Sequence, residues 1–257
     1  MDRDGILREM GIAPIWRLRA PGSAVAEGAA ASVPAAQTPL PGDALPGEVA
    51  PSPGVAAPSA AGAPAADVAN MDWGALAAAV ADCRACSLCK ARKQAVLGVG
   101  DARASVLFVG EGPGAEEDER GEPFVGQAGK LLDSMLAAID MKRGEGVYIA
   151  NTVKCRPPGN RTPTLEETAA CFPFLQRQMS LIRPQLIVAL GRPAAQTLLG
   201  GEVKIGAARG RLHAHNGTPV LVTYHPAYLL RNLPDKAKAW EDLLLLRRSL
   251  RGLEEES

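Results

Sequence analysis

The sequence predicts an α/β fold, a three-layer α/β/α domain with a central, mostly parallel four-stranded sheet. Four short and continuously apolar runs have the composition of strands buried on both faces: residues 105–109, 147–150, 186–190 and 220–223. Segments with helical spacing of apolar residues precede, separate and follow these runs: residues 73–80, 127–140, 164–182, 192–199 and 236–253. Strands and helices that alternate along a chain indicate a parallel sheet packed between two layers of helices.

Composition divides the 257-residue chain into three parts. Residues 21–70 consist almost entirely of Ala, Pro, Gly, Ser and Val, with nine prolines and no Lys or Arg. Because such a segment cannot bury enough side-chain surface to offset the entropy lost on ordering, we expect a disordered linker there. Residues 71–257 form the predicted domain.

Residues 1–20 contain a short apolar cluster that is too small to fold alone. Two interpretations are open: this peptide packs back on the domain, or it docks a protein partner. The sequence does not separate them. Apart from such a partner, we expect a monomer.

The net charge of zero conceals a weak basic bias in residues 71–257, where basic side chains outnumber acidic ones by three. That bias permits nucleic-acid binding without itself indicating it. No apolar run approaches the roughly 18 residues needed to span a membrane. The first residues, Met1-Asp2-Arg3-Asp4, do not begin a signal or transit peptide, so we expect a cytoplasmic protein without membrane contact.

Four cysteines have a spacing typical of metal ligands. Cys83 and Cys86 form a C-x-x-C pair, and Cys155 and Cys171 follow far downstream. In a cytoplasmic protein, four thiols that converge in space point to metal ligands rather than to disulfides. Four thiolates suit structural zinc as well as an iron–sulfur cluster, so the spacing alone does not choose the metal. Cys89 is left over.

A glycine-rich loop follows the first predicted strand, with the sequence Gly110-Glu111-Gly112-Pro113-Gly114. It lacks both the fingerprint of a dinucleotide-binding loop and the Lys of a P-loop. A carboxylate inside the loop would repel a bound phosphate, so Glu111 is better suited to activate water or to stabilise a cationic transition state. A tight structural turn is the alternative interpretation.

Two further polar residues follow predicted strands. Asn151 ends the second strand, and its amide offers a donor and an acceptor side by side, the pair needed to read the edge of a pyrimidine. His225 lies just after the last strand. Ligands of such sheets bind beyond the carboxyl ends of the strands, where these residues collect. A turn-forming asparagine and a structural histidine remain the alternatives.

These residues belong to four motifs whose order resembles that of the family-4 uracil-DNA glycosylases, the iron–sulfur branch of the uracil-DNA glycosylase superfamily. The motifs are G-E-G-P-G followed by E-E-D, P-F-V-G-x-A-G, N-T-V-K-C-R-P-P-x-N-R and H-P-A-Y-L-L-R-N. The resemblance covers residues 73–250 and implies a monofunctional enzyme of base-excision DNA repair. Such an enzyme hydrolyses the N-glycosidic bond of uracil in single- or double-stranded DNA, releasing uracil and leaving an abasic site.

The resemblance also implies a role for each of three catalytic residues. Glu111 would position or deprotonate the attacking water and oppose the positive charge on the sugar. Asn151 would hydrogen-bond the O4 and N3 edge of uracil. His225 would stabilise the negative charge that grows on O2 as the bond breaks.

Further residues would form the pocket for the base, which must leave the DNA stack to be reached. By the same resemblance, Phe124 would stack on the flipped base. Glu117 would stand against the C5 methyl group and so exclude thymine. The backbone at Gly110 and Gly112 would complete the pocket.

For DNA binding, the resemblance implies a loop of Leu229, Leu230 and Arg231 that inserts into the duplex and holds the gap left by the flipped base. Basic side chains are candidate phosphate contacts: Lys154, Arg156, Arg161, Arg209 and Arg211. The salt dependence of binding would identify those that contact phosphate.

The resemblance, unlike the spacing, also chooses the metal. It implies a [4Fe–4S] cluster, with ligands at Cys83, Cys86, Cys155 and Cys171. Because Cys155 follows Asn151 by four residues, the cluster would fix the loop that carries the base reader. Cys89 matches no ligand position, and we expect a free thiol there.

Two other functions remain open. One is a non-catalytic iron–sulfur module that binds DNA. The other is a nucleotide-using redox enzyme, which the missing dinucleotide fingerprint disfavours. Two other branches of the superfamily fit less well. Relatives that bond covalently to the abasic sugar carry a His-containing insertion after the asparagine strand, and residues 156–161 contain no His. A family-5 enzyme would lack the carboxylate of Glu111.

Overall fold

The computed structural model describes residues 65–255. These residues include six strands: β1 (Val99–Gly100), β2 (Val106–Gly110), β3 (Val147–Asn151), β4 (Leu186–Leu190), β5 (Leu212–His215) and β6 (Thr218–Thr223). They form one sheet in the order β1-β3-β2-β4-β6-β5. Strands β3, β2, β4 and β6 are mutually parallel, whereas β1 and β5 pair antiparallel at the two edges.

The sheet is therefore mixed, and the predicted count of four strands is wrong. All four predicted strands are present, and they form the parallel centre of the sheet. The two additional strands carry no continuous apolar run, since β1 has two residues and β5 alternates exposed and half-buried side chains. An edge strand is not buried on both faces, so it lacks the pattern that identifies a central strand.

The helices lie between and beyond the strands. They are α1 (Ala65–Val68), α2 (Trp73–Asp82), α3 (Ala115–Arg120), α4 (Gln127–Ala137), α5 (Leu165–Ile182), α6 (Arg192–Leu199), α7 (Ile205–Ala208), α8 (Pro226–Arg231) and α9 (Lys236–Glu255). Short 3₁₀ turns occur at Ser87–Lys90, Pro158–Asn160 and Leu233–Asp235.

Helices cover both faces of the sheet, in agreement with the predicted three layers. Val106 and Phe108 of β2 point to one face, where they pack with side chains of α4 and α9. Leu107 and Val109 point to the other face and pack with side chains of α5 and α6. All four side chains are fully buried. Full burial of one such side chain contributes about 1.5–3 kcal/mol, so β2 anchors both halves of the core.

The folded part begins before residue 71, the predicted start of the domain. Residues 65–68 form α1, which contacts α5, and Val68 is 2% exposed. Val68 packs with Leu76 and Val80 of α2 in a third apolar cluster. Val68 is the only large apolar side chain in an alanine-rich stretch, so composition does not distinguish residues 65–68 from the linker. The boundary predicted at residue 70 between linker and domain is therefore too late in the chain. The predicted peptide, residues 1–20, and the linker up to residue 64 lie outside the described residues.

Among the described residues, no helix is long and apolar enough to cross a membrane.

Candidate active site and cysteine cavity

A cleft of about 960 Å³ opens at the carboxyl ends of the parallel strands. This is where ligands bind in open α/β sheets. Of the predicted site residues, eight line this cleft: Glu111, Gly112, Glu117, Phe124, Asn151, Arg161, His225 and Arg231. Gly110 is the last residue of β2 and pairs with Asn151 in the register of β2 and β3.

Asn151 is a buried polar residue that lines the cleft. The residue is 2% exposed, and its Oδ1 is a buried polar atom with no hydrogen-bond partner. A buried acceptor without a donor costs about 1–3 kcal/mol, so such atoms are rare in folded proteins. The amide is therefore placed to accept a hydrogen bond from a ligand.

Gly110 is required by the side chains around it. A Cβ atom at this position would lie 2.5 Å from Oδ1 of Asn151 and 2.5 Å from Cζ of Phe124. Real Cβ atoms do not approach other atoms so closely. The glycine thus lets the amide and the phenyl ring meet at the end of β2.

His225 lies against Phe124, with ring centroids 5.5 Å apart and planes inclined by 31°. It precedes α8, and its Nδ1 accepts a hydrogen bond from the backbone N–H of Ala227 at 3.1 Å. Because Nδ1 is an acceptor, a neutral ring carries its proton on Nε2. Burial, together with the charge of Arg231, lowers the pKa of His225 from 6.5 to about 4. The imidazole is therefore a neutral Nε2–H donor at neutral pH.

The carboxylates of Glu111, in the loop after β2, and of Glu117, in α3, differ in their surroundings. The backbone carbonyl of Glu111 accepts hydrogen bonds from Thr152 Oγ1 (2.5 Å) and Val153 N (3.3 Å), which fixes the loop against the chain after β3. No hydrogen bond or salt bridge to the carboxylate of Glu111 occurs among the described residues, so it remains available at the cleft wall.

Glu117, in contrast, is fully engaged with the backbone. Its Oε1 accepts hydrogen bonds from Val125 N (2.9 Å) and Gly126 N (3.1 Å), and its Oε2 accepts one from Gly114 N (3.0 Å). The carboxylate therefore ties the two loops of the cleft together and caps α3. This organising function was not predicted from the sequence, which suggested only a wall against thymine.

The predicted DNA-inserting residues separate in the structure. Leu229 is 1% exposed and packs in the core beneath α8, so its assignment to an inserting loop is wrong. Leu230 is 42% exposed, and Arg231 is exposed at the cleft. Neighbouring residues of a helix point in different directions, so only one of the two leucines can face DNA.

The candidate phosphate contacts also divide. Lys154 is 2% exposed, so a phosphate cannot reach it. The side chain of Arg209 is 14% exposed and forms salt bridges with Glu241 and Asp242. These two assignments are wrong, because Lys154 is buried and the guanidinium of Arg209 is already paired with two carboxylates. Arg211 is exposed.

Of the two remaining arginines, Arg161 lines the cleft, and Arg156 contacts Asn160, which also lines it. Arg156 Nε donates to Asn160 Oδ1 at 2.7 Å. Arg161 binds both carboxylate oxygens of Glu167 at 2.8 and 2.7 Å, and its guanidinium lowers the pKa of that carboxyl to about 2. Ser87 Oγ donates to the same carboxylate at 3.0 Å, so Glu167 links the cysteine loop to the cleft rim.

Four cysteines predicted as metal ligands line one small cavity: Cys83, Cys86, Cys155 and Cys171. Cys89 lines it as well, and none of the five forms a disulfide. Within residues 65–255, no group of three or more His, Cys, Asp or Glu side chains already has the geometry of a metal site. The thiols therefore line a common cavity, but their sulfur atoms do not have the arrangement of ligands around one metal centre.

The hydrogen bonds around this cavity fit bound thiolates. Ala85 N donates to Cys83 Sγ at 3.5 Å, and Lys154 N donates to Cys171 Sγ at 3.2 Å. Arg92 Nη1 donates to Cys155 Sγ at 2.9 Å. Burial raises the pKa of Cys155, and that of Cys171 to about 12, so these thiols need a metal to lose their protons at neutral pH.

Two cations at the cavity support the same conclusion. Arg92 and Lys154 form no salt bridge with a carboxylate in the described part of the chain. Lys154 Nζ donates only to the neutral oxygens of Asn151 (2.9 Å) and Gln178 (2.5 Å). A buried charge needs a counter-charge. A metal centre with four thiolates carries net negative charge and would supply it, so the residues present fit such a group.

Three functional residues were missed from the sequence. Gly191 follows β4 with a φ of 86°, and a Cβ atom there would lie 2.9 Å from Cβ of His225. Its position directly after an apolar strand could have identified it as a site residue. Glu167 forms a capping box with Thr164, and the T-x-x-E spacing in the sequence predicts this capping box. Arg92 has no sequence signal beyond its nearness to the first cysteines.

Comparisons with known proteins identify the family of this chain. Residues 97–244 match the uracil DNA glycosylase superfamily. The type-4 uracil-DNA glycosylase of Thermotoga maritima is 50% identical over 155 residues, which cover 60% of this chain and 80% of the relative. The type-4 enzyme of Pyrobaculum aerophilum is 42% identical over 184 residues, which cover 68% of this chain and 93% of the relative.

A type-5 uracil-DNA glycosylase of Pyrobaculum aerophilum is more distant, at 34% identity over 146 residues. The match to the superfamily covers more than half of the chain, and most of each type-4 relative is covered. The chain therefore belongs to the uracil-DNA glycosylase superfamily and, within it, to the type-4 uracil-DNA glycosylases.

Proposed function

We propose that this protein removes uracil from DNA by hydrolysing its N-glycosidic bond, leaving free uracil and an abasic site. The names of the type-4 relatives support this function. The observation that carries it here is the unpartnered Oδ1 of Asn151, buried at the floor of a cleft beside Phe124 and His225.

Base selection follows from the amide of Asn151. Its Oδ1 accepts the N3–H of uracil, and its Nδ2 donates to O4. Cytosine presents the opposite pattern, an acceptor at N3 and a donor at C4, so it leaves Oδ1 unsatisfied. A site built to hydrogen-bond one partner rejects a mismatched analogue strongly, because buried polar groups then stay unpaired.

His225 assists the departure of the base. As the bond between C1′ and N1 breaks, its electron pair stays with uracil, and negative charge spreads to O2. The Nε2–H of the neutral ring donates to this oxygen. One preorganised donor of this kind commonly contributes about 3–4 kcal/mol to the transition state.

Glu111 acts on the other product of bond breaking. Its carboxylate opposes the positive charge of the sugar and orients the water whose oxygen bonds to C1′. The water releases its proton, and the uracil anion later takes one up, so the overall reaction is a hydrolysis. The absence of a protein partner for this carboxylate in residues 65–255 supports the assignment.

Uracil must leave the stack before these groups can reach it. Leu230 and Arg231, both exposed at the end of α8, are placed to occupy the gap and to contact phosphate. Unstacking costs a few kcal/mol, which an apolar side chain inserted between bases offsets in part. Arg156 and Arg161 lie on the side of the cysteine loop, and the side chain of Arg161 stays 43% exposed beside Glu167, so a phosphate can still reach it.

The four cysteines Cys83, Cys86, Cys155 and Cys171 would hold a [4Fe–4S] cluster. Its contribution would be structural, because the hydrolysis of a glycosidic bond is not a redox reaction. The chain's own residues do the positioning: Lys154 lies next to Cys155 and donates from Nζ to the carbonyl of Asn151. We place the base reader and the cysteine loop in one rigid unit.

Release of free uracil from a uracil-containing oligonucleotide, followed by chromatography, tests the proposal. We expect release by the wild-type protein and a severe loss in Glu111→Gln, which keeps the size of the side chain but not its charge. DNA binding without uracil release would instead favour a non-catalytic iron–sulfur module.

A further inference from the structure

The geometry points to Arg143, which lies outside all four motifs, as the positioning residue of the base pocket. We propose that its guanidinium holds the backbone of Phe124 so that the phenyl ring can stack on the flipped base. The inference rests on the proposed function and adds a residue to it.

Phe124 has an unusual backbone. Its φ is 55°, in the left-handed region that glycine favours and bulky residues avoid. Residues keep such a conformation only when their surroundings enforce it. The ring is 6% exposed and lies between His225 and the glycine at the end of β2, so a small shift of the backbone would move it out of place.

Arg143 supplies donors to two successive carbonyls of this loop. Its Nη1 donates to Pro123 O at 2.8 Å, and its Nη2 donates to Phe124 O at 2.8 Å. A planar guanidinium holds two acceptors in a fixed relation, which the single nitrogen of lysine cannot do. The side chain is 18% exposed, so water competes little for these bonds.

Asp133 of α4 orients the guanidinium. Its Oδ1 accepts from Arg143 Nε at 3.1 Å and from Nη2 at 2.9 Å. Glu122 lies 3.8 Å from Nη1 and adds a second negative charge. Arg143 therefore connects a helix of the core to the strained loop, and its hydrogen bonds reach no strand of the sheet.

Two further contacts restrain the loop. On its other side, the carboxylate of Glu117 accepts the N–H groups of Val125 and Gly126. A Cβ atom at Gly129 would lie 1.7 Å from Phe124 O, so the carbonyl is pressed against α4. The carbonyls before the turn are thus held by Arg143, and the amides after it by Glu117.

A double-mutant cycle separates a positioning role from a general structural one. When one residue acts through another, the effect of replacing both is smaller than the sum of the two single effects. We expect Arg143→Met to raise the inhibition constant of free uracil about tenfold, and Phe124→Ala to raise it by at least as much. The inhibition constant of the double variant should equal that of Phe124→Ala. Without the phenyl ring, the guanidinium of Arg143 has no ring to position.

Arg177→Met is the matched control. Arg177 is also half-buried and donates from Nε to a backbone carbonyl, that of Met71, away from the cleft. We expect it to leave the inhibition constant unchanged. Arg143→Lys keeps the charge and loses the fork, so it should behave like Arg143→Met. It also carries the test if the methionine variant does not fold.

Additive losses in the double variant, or a normal inhibition constant in both Arg143 variants, would overturn the inference. Those results require a wild-type protein that excises uracil normally. A wild-type protein that releases no uracil would instead contradict the proposed function itself.

Discussion

Lys154 Nζ lies 2.9 Å from the backbone carbonyl oxygen of Asn151, and the lysine is 2% exposed. The backbone N–H of the same lysine donates to Cys171 Sγ at 3.2 Å. One residue therefore connects the cysteine cavity to the strand end that carries the base-reading amide. A disturbance of the cysteines can reach the cleft through this contact.

Replacement of this lysine should affect both sites. We expect Lys154→Met to bind free uracil about tenfold more weakly, the effect of losing one buried hydrogen bond to a charged group. The variant should also lower the reduction potential of a bound cluster, because a nearby positive charge favours the reduced state. Calorimetry and spectroelectrochemistry measure the two effects.

Lys90 provides the control for that experiment. It ends the 3₁₀ turn of the cysteine loop but is exposed. Lys90→Met should match the wild type in both measurements. Wild-type uracil affinity and potential in Lys154→Met would show that the contact does not couple the two sites.

Asn151→Ala should cost most of the affinity for the base. We expect uracil to bind about 100-fold more weakly, because roughly 3 kcal/mol of buried hydrogen bonding is lost. The rate of excision should fall in parallel. Thr162→Ala changes an exposed residue at the rim of the same cleft and should leave both quantities unchanged. Equal losses in the two variants would argue against base reading by Asn151.

The low pKa of His225 predicts a particular dependence of stability on pH. The folded pKa of about 4 lies below the ordinary 6.5, so the unfolded chain takes up the proton first as the pH falls. This histidine therefore destabilises the fold progressively between pH 6.5 and 4, and has no such effect above pH 6.5. Melting temperatures of the wild type and His225→Gln, measured across this range, test the prediction.

The difference in melting temperature between wild type and His225→Gln should move against the wild type as the pH falls. A constant difference would mean that His225 titrates alike in both states. In that case the neutral Nε2–H donor of the proposed mechanism would lose its physical basis.

The two neighbouring leucines of α8 should give opposite results. Leu230→Ala should slow excision from double-stranded DNA more than from single-stranded DNA, because only a duplex leaves a gap to fill, and stability should stay within about 0.5 kcal/mol. Leu229→Ala should lower the free energy of unfolding by about 2–5 kcal/mol, as a buried leucine does. Denaturant unfolding and excision assays on both substrates distinguish them.

A contrary result would be that Leu229→Ala, and not Leu230→Ala, slows excision from duplex DNA while its free energy of unfolding stays that of the wild type. Leu229 would then be the inserting residue.

The parallel centre of the fold was predictable because strands buried on both faces need continuous apolar runs. Strands β1 and β5 lie at the edges and carry no such signal. In the cleft, residue types after the strands predicted Glu111, Asn151 and His225, since a parallel sheet gathers its carboxyl ends on one side.

Burial could not be predicted from motifs. Leu229 and Leu230 are identical in type, and only the direction of α8 decides which one faces the core. Lys154 stands among basic residues that suggest a phosphate contact, yet it is buried beside the cysteines. Glu117 and Arg143 bind backbone atoms of the loop at residues 123–126, and no sequence motif marks these contacts.

Strand cleavage by alkali after incubation with matched oligonucleotides tests the central claim most directly. The oligonucleotides carry uracil, thymine or cytosine at one position, and alkali breaks the strand only where a base has been removed. We expect cleavage at uracil alone by the wild-type protein. An intact uracil strand, or equal cleavage at cytosine, would contradict excision of uracil selected by the buried amide.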